Sequence, residues 1–377
     1  MTAPVMHPMM PRATQDEFAR CEFVQSLKHH VATDVRPGNK DIYDKRAAPS
    51  FAKKEGRQPA NRHEVRRLMA KDEGWQMWGA LQRTSQEMLW DTVGEPIERD
   101  LARMIGESKA RDRRAKGSLR LDPAFVAPRY IKDVDVHVMP GGYCTDLTAD
   151  DVTAGAYYDF GVYWFTMSAL GRYNDEKGRR LIRYLRHDYP GLKPKRILDL
   201  GCSVAHSTLP FVDAFPGAEV HAIDVGAPML RYAHARAEAL GKPIHLAQQN
   251  AEKTDYPDGY FDLVVSHILL HEVSRKALGN IMKECHRLLA PGGVTAHQDV
   301  TLFQSMTPYE AFDADWDTYN NNEPCWAQMR DVDAVALMAG AGFAKSRVQQ
   351  AWTPHGQENV YSRTPVAAAT YVLSAQK

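Results

Sequence analysis

Apolar residues change their period several times along the chain, and each change predicts a different element. Ile197, Leu198 and Leu200 form a short apolar run that breaks at Gly201, and Leu209, Phe211, Val212 and Phe215 then return at helical spacing. That pattern predicts a strand, a tight turn and a helix N-terminus. Residues 219–224 and 260–266 read as further buried strands, 294–300 as a fifth, and 343–350 and 367–375 as the last two. Leu278, Ile281, Met282, Cys285, Leu288 and Leu289 mark an amphipathic helix before the Pro291-Gly292-Gly293 turn. Upstream, the capping box Thr14 to Glu17 opens a helix with Phe18, Cys21, Val24 and Leu27 on one stripe. Asn61 to Glu64 opens another, with Val65, Leu68, Met69, Trp75, Trp78, Leu81 and Met88, a stripe that reads as core. Residues 1–13 carry three prolines and predict a disordered leader, and the polar stretch 33–60 predicts a long connection. Alternation over 130–138 predicts a strand ending in a turn that exposes Tyr143. Helices are predicted from Gly155 through Phe165 and from Asn174 through Arg186.

The strand, turn and helix around Gly201 would present backbone N–H groups at the positive end of a helix, a place for an anionic or polar ligand group. By itself it is also what an ordinary βα unit looks like. Asp224 changes the picture. It ends the second strand 25 residues after Asp199, where a carboxylate accepts hydrogen bonds from ribose hydroxyls.

The order of the segments Asp199-Leu200-Gly201-Cys202-Ser203, Ala222-Ile223-Asp224, Gln249-Asn250-Ala251, Asp262 to Ser266, Leu270-His271-Glu272 and Pro291-Gly292-Gly293 resembles the class I S-adenosylmethionine (SAM) dependent methyltransferases. The resemblance covers about residues 155–377 and is nearest the branch of ubiquinone and menaquinone C-methyltransferases and related small-molecule enzymes. It implies a doubly wound, seven-stranded Rossmann-like α/β sheet with the last strand antiparallel, over residues 151–377, behind a mainly helical lid or dimerisation domain at 1–150. It implies SAM as cofactor, bound by Asp199, Gly201, Ser203, Asp224, Asn250, Ala251, Ser266 and Tyr158, with Tyr157 the alternative to Tyr158. The family's loop usually reads Asp-x-Gly-x-Gly-x-Gly, and Ser203 and Ala205 stand here for the second and third glycines.

Methyl transfer is an in-line displacement, so the protein's work is positioning and excluding water. An oxygen or carbon acceptor also needs a base, and His271, His267 and Asp299 are the candidates at the ligand end of the sheet. The alternatives are a loop-shaping Leu-His pair and a capping aspartate. Residues 301–330 are rich in aromatic and polar groups and predict a roof over the acceptor, with Trp316 and Tyr319, together with Tyr143, as its contacts. The expected function is methylation of a small molecule on oxygen or carbon. A SAM-binding regulatory subunit without turnover, and a methyltransferase acting on protein or RNA, are the other readings.

Composition narrows these. Lys plus Arg and Asp plus Glu both number 47, so no generic nucleic-acid surface is expected. The five cysteines are scattered and odd in number, with no metal-ligand spacing, so no metal site is expected and a reducing, cytoplasmic setting is. No run of about 18 apolar residues predicts a membrane span. A homodimer through the N-terminal helices completes the expected partners.

Overall fold

Leu198, Leu200, Leu263, Val264 and Val265 are wholly buried, so their strands face water on neither side and need helices on both faces. The computed structural model describes residues 4–357 and 359–377. Its strands are β1 (Ser118–Arg120), β2 (Arg196–Leu200), β3 (Glu219–Asp224), β4 (His245–Gln248), β5 (Phe261–His267), β6 (Leu289–Val300), β7 (Val348–Pro354) and β8 (Ala369–Gln376). They form one sheet in the order β1-β4-β3-β2-β5-β6-β8-β7. Pairing is parallel from β1 through β6, while β8 runs antiparallel to both β6 and β7. The seven expected strands are present, and the N-terminal region adds β1 as an eighth at the edge beside β4.

One face is covered by the helices Glu176–Asp188, Leu209–Ala214 and Ala227–Ala239, the other by Arg275–Leu288 and Ala334–Gly340. The parallel strands end together, which gathers Leu200, Asp224, Gln248, His267 and the segment after Val300 around one crevice.

The N-terminal region is helical, with Gln15–His30 packed on the 40-residue helix Glu73–Asp112. One hydrophobic cluster joins Cys21, Val24, Leu89, Trp90 and Ile97 to Phe160, Trp164, Met229 and Tyr232, and so crosses residue 150. Among the described residues no helix is long and apolar enough to cross a membrane.

Three sequence expectations fail in this region. Residues 33–60 are largely helical: two wide π-type turns alternate with the short helices Pro37–Ile42 and Ala48–Glu55. Pro37 and Pro49 stand in first turns, where a missing N–H costs nothing. Val35, Ile42, Tyr43 and Ala47 pack on a cluster with Trp75, Trp78, Tyr309 and Phe312. The leader, whose residues 1–3 lie outside the described residues, is ordered from residue 4 onward. His7, Met9 and Met10 are buried, and His7 Nε2 lies 2.9 Å from Asp159 Oδ2. Residues 130–138 form no strand. They make the turn of helix Arg129–Lys132 and a tight turn with His137 and Val138 at φ 56° and 61°. Ile131, Val136 and Met139 reach the interior without a strand ladder. The strained backbone is held because the His137 carbonyl accepts from Gln86 Nε2 (2.9 Å) and Trp90 Nε1 (2.8 Å).

Helix Thr153–Phe165 crosses Ala227–Ala239 in close contact through Gly155, where a Cβ would fall 2.2 Å from the Tyr232 Cβ. Gly155→Ala is therefore expected to cost about 1–3 kcal/mol, read as a lower urea midpoint at unchanged slope.

Candidate active site

The β2 strand stops at Gly201. Its φ is +67°, and a Cβ there would fall 2.7 Å from Leu269 Cδ1, so backbone and neighbour both exclude a side chain. Ser203 and Ala205 follow at φ 50° and 64°. The two positions that lack the family glycines thus keep the left-handed backbone glycine favours. The strain is held by Asp224, whose Oδ2 accepts from the Ser203 N–H (2.8 Å) while Oδ1 accepts from Gly226 (2.9 Å). Burial raises the Asp224 pKa, and the amides of Gly226, Ser203 and Val225 oppose that rise. Each carboxylate oxygen keeps a further lone pair.

These groups line a cavity of about 1000 Å³ that also includes Asp199, Val225, Gln249, Asn250, Ala251 and His267, with Pro128, Tyr130 and Ile131 closing it from the N-terminal side. Asp199 is 2% exposed. Its Oδ2 accepts from Thr208 Oγ1 at 2.6 Å, and its Oδ1 has no hydrogen-bond partner, the nearest ring nitrogen being His267 Nδ1 at 3.4 Å. A buried carboxylate oxygen left open is an acceptor for a cationic donor from a ligand. The cavity thus offers the acceptors that fit a SAM molecule: an open carboxylate for its ammonium, a second carboxylate for its ribose, and an apolar slot beyond.

A second cavity, of about 1060 Å³, shares His137, Tyr143, Tyr158, His206, Ser207, His267 and Ile268 with the first. Trp90, Phe165 and Trp326 supply aromatic wall, and His271, Asp317, Asn321, Glu323 and Lys177 supply charge and polarity. His271 is 1% exposed and stacks edge-on against Trp326. Its Nδ1 lies 2.6 Å from Asp299 Oδ1. Asp299 also accepts from the amides of Leu270 (2.8 Å) and Val300 (2.7 Å). Burial opposes charge on His271, but Asp299, joined by Glu272 and Glu323, more than offsets it and holds the pKa above the ordinary value. His271 Nε2 has no hydrogen bond and faces Glu323 Oε2 at 3.7 Å and Glu272 Oε1 at 3.8 Å. His137 Nδ1 pairs with Glu323 Oε1 at 2.9 Å, and its Nε2 lies 3.5 Å from Glu272 Oε1. Burial disfavours the imidazolium, yet these two carboxylates push its pKa well up. Burial and the neighbouring Glu323 raise Asp317 to about 7.

The structure brings together Asp199, Gly201, Ser203, Asp224, Asn250, Ala251, Tyr158, His267, His271 and Tyr143 around the joined cavities. Asp299 stands behind His271, and Ser266, within β5, lines neither cavity, its hydroxyl lying 2.8 Å from His297 Nδ1. Asn250 turns its amide to Glu252, with Oδ1 accepting from the Glu252 N–H at 2.9 Å. Of the tyrosine pair, Tyr158 lines both cavities while Tyr157 presses its hydroxyl toward Gly94. Trp316 and Tyr319 line neither. Trp316 is buried against Trp78 in the N-terminal cluster, and Tyr319 is exposed under the Arg66 guanidinium, 3.6 Å from its ring. The helix Trp316–Asn320 turns Asp317 to the cavity in place of its aromatic neighbours. The segment does overhang the site, through Asp317, Asn321, Glu323 and Trp326. Sequence reasoning passed over Lys177 and His137 as site residues, whereas Glu323 was among the polar residues of the predicted 301–330 roof. Only the unusual run of polar residues around Asn321 carried any signal.

Residues 197–293 match the family model described as a methyltransferase domain. Demethylmenaquinone methyltransferase of Thermus thermophilus is 39% identical over 102 residues, 26% of this chain and 44% of that protein. Malonyl-[acyl-carrier protein] O-methyltransferase of Methylococcus capsulatus is 30% identical over 191 residues, 49% of this chain and 64% of that protein. The chain thus spans about half the length of the curated relatives it matches. A solved structure of a putative O-methyltransferase from Nostoc punctiforme covers 96% of both chains at 13% identity and a TM-score of 0.47. The segment 197–293 is a methyltransferase domain of the class I type, whose cofactor is S-adenosyl-L-methionine.

Proposed function

We propose that the protein methylates an oxygen or carbon of a small, partly aromatic molecule seated in the second cavity. The observation that carries this reading is the open Nε2 of His271, backed by Asp299, in the wall of the second cavity. SAM supplies an electrophilic methyl carbon on a sulfonium that departs as a neutral thioether. Asp199 Oδ1 takes the ammonium of its methionine part, Asp224 its ribose hydroxyls, and Asn250 and Ala251 border its adenine. Nδ1–H of His271 donates to Asp299, which fixes the tautomer with the lone pair on Nε2. That lone pair accepts the acceptor's proton as the methyl group is transferred, and the Asp299 carboxylate stabilises the imidazolium. His267, without a hydrogen bond at either ring nitrogen, shapes the wall between cofactor and acceptor. Tyr143, 3.3 Å from Glu272 Oε1, covers the junction from the N-terminal side and excludes water.

One relative is named for transfer to oxygen, and the other for a quinone precursor, which agrees with this choice of acceptor atom. The test has two stages. S-adenosylhomocysteine is expected to bind the purified protein in calorimetry. Methyl-labelled SAM is then expected to label hydroxyl- or enol-bearing aromatic molecules but not matched amines. Binding without transfer to any member would favour a regulatory SAM-binding subunit, and labelling of amines alone would reverse the choice of atom.

A further inference from the structure

Resting on that reading, we propose that Lys177 is an anion-binding residue of the second cavity, and that the acceptor is a carboxylate or similarly charged molecule whose anionic group it holds. The lysine stands in the first turn of helix Glu176–Asp188 and lines the cavity. The next residue, Gly178, brings the helix backbone onto the cofactor loop: a Cβ there would lie 2.2 Å from the Ser207 carbonyl oxygen. The ammonium thereby enters the same cavity as His271.

What distinguishes Lys177 is the absence of a partner. Three histidines of the cavity already face a carboxylate. His137 is paired with Glu323, His271 with Asp299, and His206 with Asp159 at 2.5 Å. The nearby carboxylates face other groups, Glu323 keeping one oxygen, Oε2, without a hydrogen bond. Glu176, its neighbour in sequence, is held by Arg180 (3.2 Å) and Arg183 (2.6 Å). Glu272 receives the Tyr143 hydroxyl, and Glu323 the Asn321 amide at 2.7 Å. Among the described residues no hydrogen bond or ion pair reaches the Lys177 ammonium. Burial lowers its pKa to about 8, while Asp299, Glu272 and Glu323 sustain its charge through space and Arg180 opposes it. It is therefore mainly protonated at neutral pH and has three donors free. A half-buried ammonium without a counter-ion is costly. A ligand carboxylate that pairs with it removes that cost and forms a charge-assisted hydrogen bond.

Three probes with one ring and one phenol test the charge class: salicylate, 2-hydroxybenzyl alcohol and 2-hydroxybenzylamine, each titrated into full-length protein saturated with S-adenosylhomocysteine. Salicylate is expected to bind about tenfold tighter than the alcohol. In Lys177→Met that preference is expected to vanish, and in Lys177→Arg to persist, with S-adenosylhomocysteine affinity within about twofold of wild type in both. The unchanged cofactor affinity shows that the variants are folded. Equal binding of salicylate and the alcohol to the wild type, failure of salicylate to bind, tighter binding of the amine, or a preference surviving in Lys177→Met would each overturn the proposal. Failure of S-adenosylhomocysteine itself to bind the wild type would instead strike the cofactor reading on which the proposal rests.

Discussion

Asp224→Ala is expected to weaken S-adenosylhomocysteine binding by about two to four powers of ten. The carboxylate ends β3 at the cavity floor and is the group proposed to receive both ribose hydroxyls. Two charge-assisted hydrogen bonds at about 1.5–3 kcal/mol each set that range. Part of the loss will come through the protein itself, since the same side chain restrains the amides of Ser203 and Gly226. Asp224→Asn separates the contributions. It keeps one acceptor oxygen and is expected to fall between wild type and alanine. Calorimetry giving an affinity within about threefold of wild type for the alanine variant would remove the ribose assignment.

His271→Ala is expected to lower kcat by about 10²–10⁴-fold, the usual contribution of a positioned general base, while S-adenosylhomocysteine affinity stays unchanged. The pH dependence carries the sign. The base works when neutral, so activity should rise with pH through the His271 pKa, which Asp299 holds above the ordinary value. Asp299→Asn takes away that support. The rising limb should then move to lower pH while the plateau falls, because the neutral partner no longer stabilises the imidazolium. A His271→Ala enzyme with a wild-type plateau, or a rising limb indifferent to Asp299, would show that the proton leaves by another route.

The strand, loop and helix of residues 196–208 and the carboxylate of Asp224 could be read from the chain because each is a local device. An apolar run and a residue in left-handed backbone lie within a few positions of each other, and Asp224 directly ends the apolar run of its own strand. Ser203 and Ala205 show how far this reaches. The sequence lacks glycine there, yet the left-handed conformation expected of the loop persists at φ 50° and 64°. The neighbouring turn at Gly201 and the Asp224 carboxylate hold it from both sides.

The N-terminal half was less legible for a related reason. Residues 33–60 have no apolar stripe, and their helical turns are held by a few side chains against Trp75, Trp78 and Tyr309. Propensity and periodicity carry no record of a surface supplied by other helices, Tyr309 coming from more than 200 residues away. The leader is similar, since His7 is tied to Asp159, itself bound by His206, Tyr232 and Arg236.

The chain by itself determined the parallel sheet and the crevice at the strand ends, because these follow from burial pattern and from chemistry held within single βα units, while the antiparallel end and the cofactor were implied by the family resemblance that the order of those units carries. The acceptor chamber was decided only by tertiary structure. His137 comes from a strained turn ahead of the sheet domain, Lys177 from a helix entering it, His271 from a loop after β5, and Glu323 from a segment beyond β6. Their pairing depends on how those elements cross, and so does the lysine left without a partner. Trp316 and Tyr319 make the same point in reverse. Both sit in the right segment, but a helix only five residues long faces them away from the ligand and sends Asp317 inward.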